Sequence, residues 1–256
     1  MATTERDSKK ETRKKAGGLG EAVRVIINAL ILALIVRTLL FQPFNIPSGS
    51  MIPTLLIGDY LFVSKYSYGY SRHSIPFSPP IFEGRIWSSE PRRGDVAVFK
   101  LPRDGSSDYI KRIVGLPGDR VQMINGVLYV NERPVRREYA GDFVTDDPFG
   151  RRVVVPQYRE TLADDVSYMT LDIDPNSYAD NTGVFTIPRG HYFMMGDNRD
   201  NSSDSRVASS VGFVPFENLV GRAEVIFFSI DDDAHFWEFW KWPTAIRWDR
   251  IFDTVR

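Results

Sequence analysis

A chain of 256 residues, 43% hydrophobic and 25% charged, is long enough for one or two domains with a real core and too apolar to be disordered as a whole. Its 32 basic and 33 acidic side chains nearly cancel, to a net charge of −1, so nothing in the composition points to nucleic acid as a partner. The absence of cysteine excludes disulfides, thiol catalysis and thiolate metal sites together, and the three histidines, His73, His191 and His235, form neither HExxH nor another paired-ligand pattern, so no metal and no cofactor is expected.

Residues 1–21 are polar and basic (Arg6, Lys9, Lys10, Arg13, Lys14, Lys15) and read as a disordered tail. The apolar run Val23 to Phe41, within an expected helix over 22–41, has the length that spans a bilayer. Arg24 and Arg37 lie near its ends, where long cationic side chains reach the interface. A buried core helix and a cleaved signal peptide are the alternatives. Against cleavage, Gln42-Pro43-Phe44-Asn45 follows where a small-x-small site would be needed. An uncleaved single-pass anchor is therefore expected. With no Lys or Arg between Arg37 and Lys65, the basic tail belongs in the cytoplasm and the rest of the chain, 42–256, on the outer side.

Directly after this run comes Ile46-Pro47-Ser48-Gly49-Ser50-Met51-Ile52-Pro53-Thr54. Two serines two apart, bracketed by prolines, suit a rigid and partly exposed hydroxyl, although such clusters more often mark ordinary turns. Strand-forming runs follow at Tyr60–Lys65, Asp95–Lys100, Asp108–Val114, Arg120–Ile124, Val127–Val130, Val184–Ile187, His191–Met195 and Arg222–Ser229. Asn125-Gly126 is a two-residue hairpin signal. Residues 131–182 are polar, with a strand signal only at Arg152–Val155, and read as a smaller, less compact inserted lobe. No helical period of useful length occurs outside the anchor. The expected fold is mostly β, an antiparallel-sheet domain on one membrane helix. Near the C-terminus, Phe236, Trp237, Phe239, Trp240, Trp242 and Trp248 stand among Lys241, Arg247 and Arg250, a mixture that suits a membrane–water interface or a segment packed on the core.

Two further stretches carry chemistry. In Asp108-Tyr109-Ile110-Lys111-Arg112, a strand places Tyr109, Lys111 and Ile113 on one face, where apolar neighbours desolvate the lysine and lower its pKa. A neutral lysine can take a proton from serine, whereas a lysine on a solvated strand is the commoner case. Gly196-Asp197-Asn198-Arg199-Asp200-Asn201-Ser202-Ser203-Asp204-Ser205-Arg206 is either a solvated loop or a network of charge-assisted hydrogen bonds. It is not an EF-hand loop, because Arg199 stands where Asp or Asn is required and no Gly or Glu completes the pattern.

Together, IPSGSMIPT, RGDVAVF (Arg93 to Phe99), DYIKRIVGLPGD (Asp108 to Asp119) and GDNRDNSSDSR resemble, in order and character, the bacterial type I signal peptidases, over about residues 20–250. The resemblance implies a Ser/Lys endopeptidase of the bacterial inner membrane. Its mostly β catalytic domain would face the periplasm, and its partners would be secretory preproteins and membrane lipid. It implies Ser50 as nucleophile, Lys111 as general base, and the Ser48 hydroxyl with the Ser50 N–H as oxyanion hole. Ser202 would orient the lysine, with Tyr109 packed against it. Asp197, Arg199, Asp204 and Arg206 would brace the site. Phe44, Ile46, Leu55, Val98 and Ile110 would line shallow pockets for the small side chains of A-x-A cleavage sites. Some members carry two spans before the serine; this chain offers one. The chemistry is shared with LexA-type self-cleaving repressors, which would need a DNA-binding helix-turn-helix. A membrane-anchored β-rich binding module would leave Ser50, Lys111 and the 196–206 run without a role.

Overall fold

The computed structural model describes residues 18–146, 151–231 and 240–255. Most of the basic tail, and Phe236, Trp237, Phe239 and His235, lie outside these residues. The apolar run forms helix α1, Gly18–Leu39, 22 residues or about 33 Å long. It exposes Leu30, Ile31, Leu32 and Leu34, and its apolar window is buried against none of the described residues, so its length and composition fit a membrane span. It is two residues shorter at its C-terminus than the sequence suggests, because Leu40 ends the last turn on the Val36 carbonyl and Phe41 already pairs in a sheet.

Among the described residues fourteen strands follow in chain order: β1 Phe41–Asn45, β2 Asp59–Ser64, β3 Val96–Lys100, β4 Asp108–Gly115, β5 Arg120–Ile124, β6 Val127–Val130, β7 Arg133–Pro134, β8 Arg136–Asp146, β9 Arg152–Thr161, β10 Ser167–Leu171, β11 Phe185–Thr186, β12 His191–Met195, β13 Val214–Pro215 and β14 Leu219–Ser229. A seven-stranded antiparallel sheet runs in the order β1-β2-β14-β3-β4-β12-β13. Its first strand was not among those read from the sequence, which ran the helix to 41; β1 is an edge strand, where the missing N–H of Pro43 is tolerated. The core on one side gathers Ile46, Met51, Leu55, Leu61, Val63 and Val98, and on the other Phe99, Ile113, Tyr192, Met194 and Leu219.

A four-stranded sheet, β11-β5-β6-β7, carries the expected hairpin, with Asn125 at φ 49° and Gly126 at φ 73°, both left-handed as a two-residue turn requires. The stretch 131–182, read from sequence as loosely structured, instead builds a three-stranded sheet, β10-β9-β8, on two long strands. Arg137 stands opposite Glu160 and Glu138 opposite Arg159 across β8 and β9, but Arg137 pairs with Asp172 and Glu160 with Arg199, so these strands spend their charges on neighbouring segments and carry little apolar alternation of their own.

Candidate active site

Ser50 sits in a single 3₁₀ turn, Gly49–Met51, between the end of β1 and the start of β2. The turn is pinned from outside. Asn198 donates its backbone N–H to the Ser50 carbonyl at 3.1 Å and its Nδ2 to the Gly49 carbonyl at 3.0 Å. Gly196 passes so close that a Cβ there would lie 2.5 Å from the Ser50 carbonyl oxygen and 2.6 Å from Ser202 Cβ, so only glycine fits. The Ser50 N–H, near the N-terminus of the turn, has no protein acceptor among the described residues, as the first N–H groups of any helical turn do not. Ser48 precedes the turn, and its hydroxyl does not cap it. It is exposed and lines the same cleft as Ser50.

Strand β4 becomes buried as it passes beneath this turn. Asp108 is exposed, Tyr109 and Ile110 half-buried, and Lys111 and everything after it buried. Lys111 Nζ lies 2.6 Å from Ser50 Oγ and 2.9 Å from its neighbour's carbonyl at Ile110. Tyr109, on the same face, places its ring 5.6 Å from the amine. Burial lowers the Lys111 pKa to about 8, against the opposing pull of the Asp204 and Asp197 charges. At that value about a tenth of the amine is neutral at pH 7, enough to accept a proton from a hydroxyl already within hydrogen-bond reach. No histidine among the described residues is near: His73 bonds Ser78, and His191 the Arg189 carbonyl.

The 196–206 stretch is a buried ionic network, not a solvated loop. Asp197 takes Nε and Nη2 of Arg112 at 2.9 and 2.7 Å and the Thr54 hydroxyl at 2.6 Å. Asp204 takes Nε and Nη2 of Arg206 at 2.9 and 2.8 Å and the Gly196 N–H at 3.1 Å. Burial works to raise the Asp204 pKa, but Arg206 and these donors outweigh it and hold the carboxylate ionised. Arg199 meets Glu160 of β9 through two bonds of 2.5 Å, and Tyr168 of β10 donates to the same carboxylate at 2.9 Å. The Arg112 guanidinium stacks 4.1 Å over the Tyr168 ring. Arg112, Thr54, Glu160, Tyr168 and Asn198 were not singled out from the sequence. For Arg112 a signal existed: on the face of β4 opposite Lys111, between Ile110 and Val114, a buried guanidinium demands a carboxylate.

A cleft of about 590 Å³ opens over the Lys111–Ser50 contact. Phe44, Ile46, Val98 and Ile110 line it, together with Asp108, Asn201 and Ser203, which the sequence did not single out as lining residues. Leu55 does not reach it. Its N–H bonds back to the Met51 carbonyl, which turns the side chain into the core, fully buried beside Ile46 and Met51. The Ser202 hydroxyl, expected on the lysine, is buried beside Gly196 and leans toward the Asp204 carboxylate without closing a hydrogen bond to it or to Lys111.

An antiparallel β fold holding a serine hydroxyl against a desolvated lysine at the floor of a largely apolar cleft defines a candidate serine peptidase. The family model described as signal peptidase, peptidase S26, matches residues 19–228. The signal peptidase I of Rickettsia typhi is 41% identical over 243 residues, covering 88% of this chain and 90% of that protein. That of Rickettsia canadensis is 38% identical over 263 residues, 96% of each. A crystal structure of a signal peptidase I from Enterococcus faecalis V583 matches with a TM-score of 0.32 and 25% identity, over 52% of this chain and 97% of that one. The chain belongs to the signal peptidase family, peptidase S26, and is a serine peptidase.

Proposed function

We propose that this protein removes N-terminal signal peptides from exported preproteins, with Ser50 as nucleophile and Lys111 as general base. The observation that carries the reading is the buried 2.6 Å contact between Lys111 Nζ and Ser50 Oγ. Neutral Lys111 takes the hydroxyl proton as Ser50 Oγ attacks the scissile carbonyl carbon. The Ser50 N–H and the Ser48 hydroxyl receive the oxyanion, both being free of competing bonds among the described residues. The lysine ammonium then protonates the departing amine, and the freed amine activates water to hydrolyse the acyl-enzyme. Arg112–Asp197 and Arg206–Asp204 act as positioning residues: they fix the loop that clamps the Ser50 turn. Ser202 shares in that support through its packing against Gly196. The half-buried Phe44 and Ile110, with Ile46 and Val98, floor shallow pockets suited to small side chains.

The unpartnered apolar helix α1 holds the peptidase to the inner membrane, the tail in the cytoplasm and residues 42–256 in the periplasm. Purified protein in detergent is expected to cleave an A-x-A model preprotein in trans, and Ser50→Ala to abolish that cleavage. Cleavage by Ser50→Ala at the wild-type rate would remove the assignment, and cleavage of its own chain alone would favour a self-processing regulator.

A further inference from the structure

We propose that Asp172, Asp180 and Asp200 form a calcium site that pins the inserted lobe to the loop supporting the Ser50 turn. The three residues come from separate segments: just after β10, the loop leading to β11, and the 196–206 loop. One oxygen of each carboxylate lies within 4.8 Å of one from each of the others. Every carboxylate is already fixed by its Oδ2. Asp172 Oδ2 takes the Arg137 guanidinium, Asp180 Oδ2 the Ser177 N–H at 3.0 Å, and Asp200 Oδ2 the N–H groups of Ile173 and Asp174 at 2.7 and 2.9 Å. None of the three Oδ1 atoms has a donor among the described residues, and those of Asp172 and Asp200 are sealed from solvent. The Asp172 side chain is only 10% exposed. A buried anionic oxygen with no donor is costly, and two beside a third carboxylate more so.

The charge around the cluster sets the valence. Arg137 offsets one carboxylate, and Arg206, whose field reaches Asp180, spends Nε and Nη2 on Asp204 while its buried Nη1 has no hydrogen-bond partner among the described residues. Two negative charges remain. Calcium binds carboxylate oxygens at about 2.3–2.6 Å in flexible geometry, so one ion bridges oxygens at this spacing. Magnesium needs a near-ideal octahedron with shorter bonds and gives up its water reluctantly, so it suits a three-carboxylate cage less well. The Asn125–Gly126 turn closes one side: the Gly126 N–H bonds the Asp180 carbonyl at 3.1 Å, and a Cβ on Gly126 would come 3.2 Å from Asp172 Oδ2. The geometry differs from an EF-hand, whose ligands come from one short loop.

The test is calcium binding by the whole chain in detergent. Terbium luminescence, sensitised by nearby tyrosines, is expected to saturate and to be displaced by calcium. About 10 mM calcium is expected to raise the melting temperature over that in EDTA by about 3 °C, as for a site of millimolar affinity. Asp180→Asn and, independently, Asp200→Asn are expected to lose both signals; each keeps an amide oxygen for the backbone donors, so at least one should fold. Equal melting in calcium and EDTA, an equal shift with magnesium, or full terbium binding by a folded variant would overturn the proposal.

Discussion

Glu160 and Arg199 face each other in a two-point ion pair, both bonds 2.5 Å long, with the carboxylate wholly buried. One partner belongs to β9 and the other to the loop that clamps the Ser50 turn, so the three-stranded sheet braces that loop from behind. Removing one member strands the other's charge in the interior. Glu160→Gln is therefore expected to lower stability by about 3–5 kcal/mol, read from thermal or denaturant melts. The double change Glu160→Leu with Arg199→Met should recover much of that loss. A Glu160→Gln protein as stable as the parent would refute this account of the pair.

Ser50→Ala should end turnover and leave the turn in place, because the turn is held by Asn198 through backbone carbonyls, with the melt changed only by loss of the one Lys111–Ser50 bond, about 1 kcal/mol. Ser48→Ala should reduce kcat by about 10²–10³, the usual worth of one oxyanion donor, with KM little altered. A pure KM effect would move Ser48 from transition-state stabilisation to substrate binding.

The lysine sets the pH dependence. The folded pKa of Lys111 is near 8 against 10.5 when unfolded, so between those values the unfolded chain carries the extra proton and stability rises with pH. Below pH 8 the buried ammonium costs the fold about 3 kcal/mol. Lys111→Met should be inactive and equally or more stable at neutral pH, with that advantage shrinking as pH climbs above 8. Lys65, buried and also lowered to about 8, should preserve part of the pH slope in the variant. The wild-type kcat/KM should rise through a pKa near 8. An active Lys111→Met would eliminate Lys111 as the base; an inactive but destabilised one would make it a structural cation.

Gly196→Ala tests the clamp. Its methyl would meet the Ser50 carbonyl, which cannot retreat without moving the serine. The expected outcome is loss of most of kcat in a folded protein, whereas Asn198→Ala, which removes one side-chain bond of about 1 kcal/mol, should lose less. Normal kcat in Gly196→Ala would show that the close approach is not needed.

The parts legible in the sequence were contiguous ones. β5, β6 and β12 fall on the expected residues, because alternation and the Asn-Gly turn are local signals. The Ser50–Lys111 pairing was reached through resemblance, since 61 residues separate the two and no periodicity joins them. β8 was missed, and β9 was read only at its start, Arg152–Val155, because their polar composition looks like a loop until the ladder is known. Glu160 was invisible for the same reason, as its partner is 39 residues away. Leu55 misled because distance along the chain from Ser50 says nothing about which way a turn throws a side chain.

Only Leu40 separates α1 from β1, and the junction is riveted twice: Lys65 donates its N–H to the Leu40 carbonyl at 2.9 Å, and the Tyr70 hydroxyl bonds the Leu39 carbonyl at 2.6 Å. Helix and sheet therefore have no joint between them. With the helix in a bilayer, the serine would be carried at a set height above the lipid, and the expectation is that position relative to the membrane, as well as flanking side chains, selects the scissile bond. Lengthening the junction with a flexible Gly-Ser insert after Leu40 should blur that selection, scattering cleavage among neighbouring small residues of a membrane-inserted preprotein while leaving hydrolysis of a short soluble peptide unchanged.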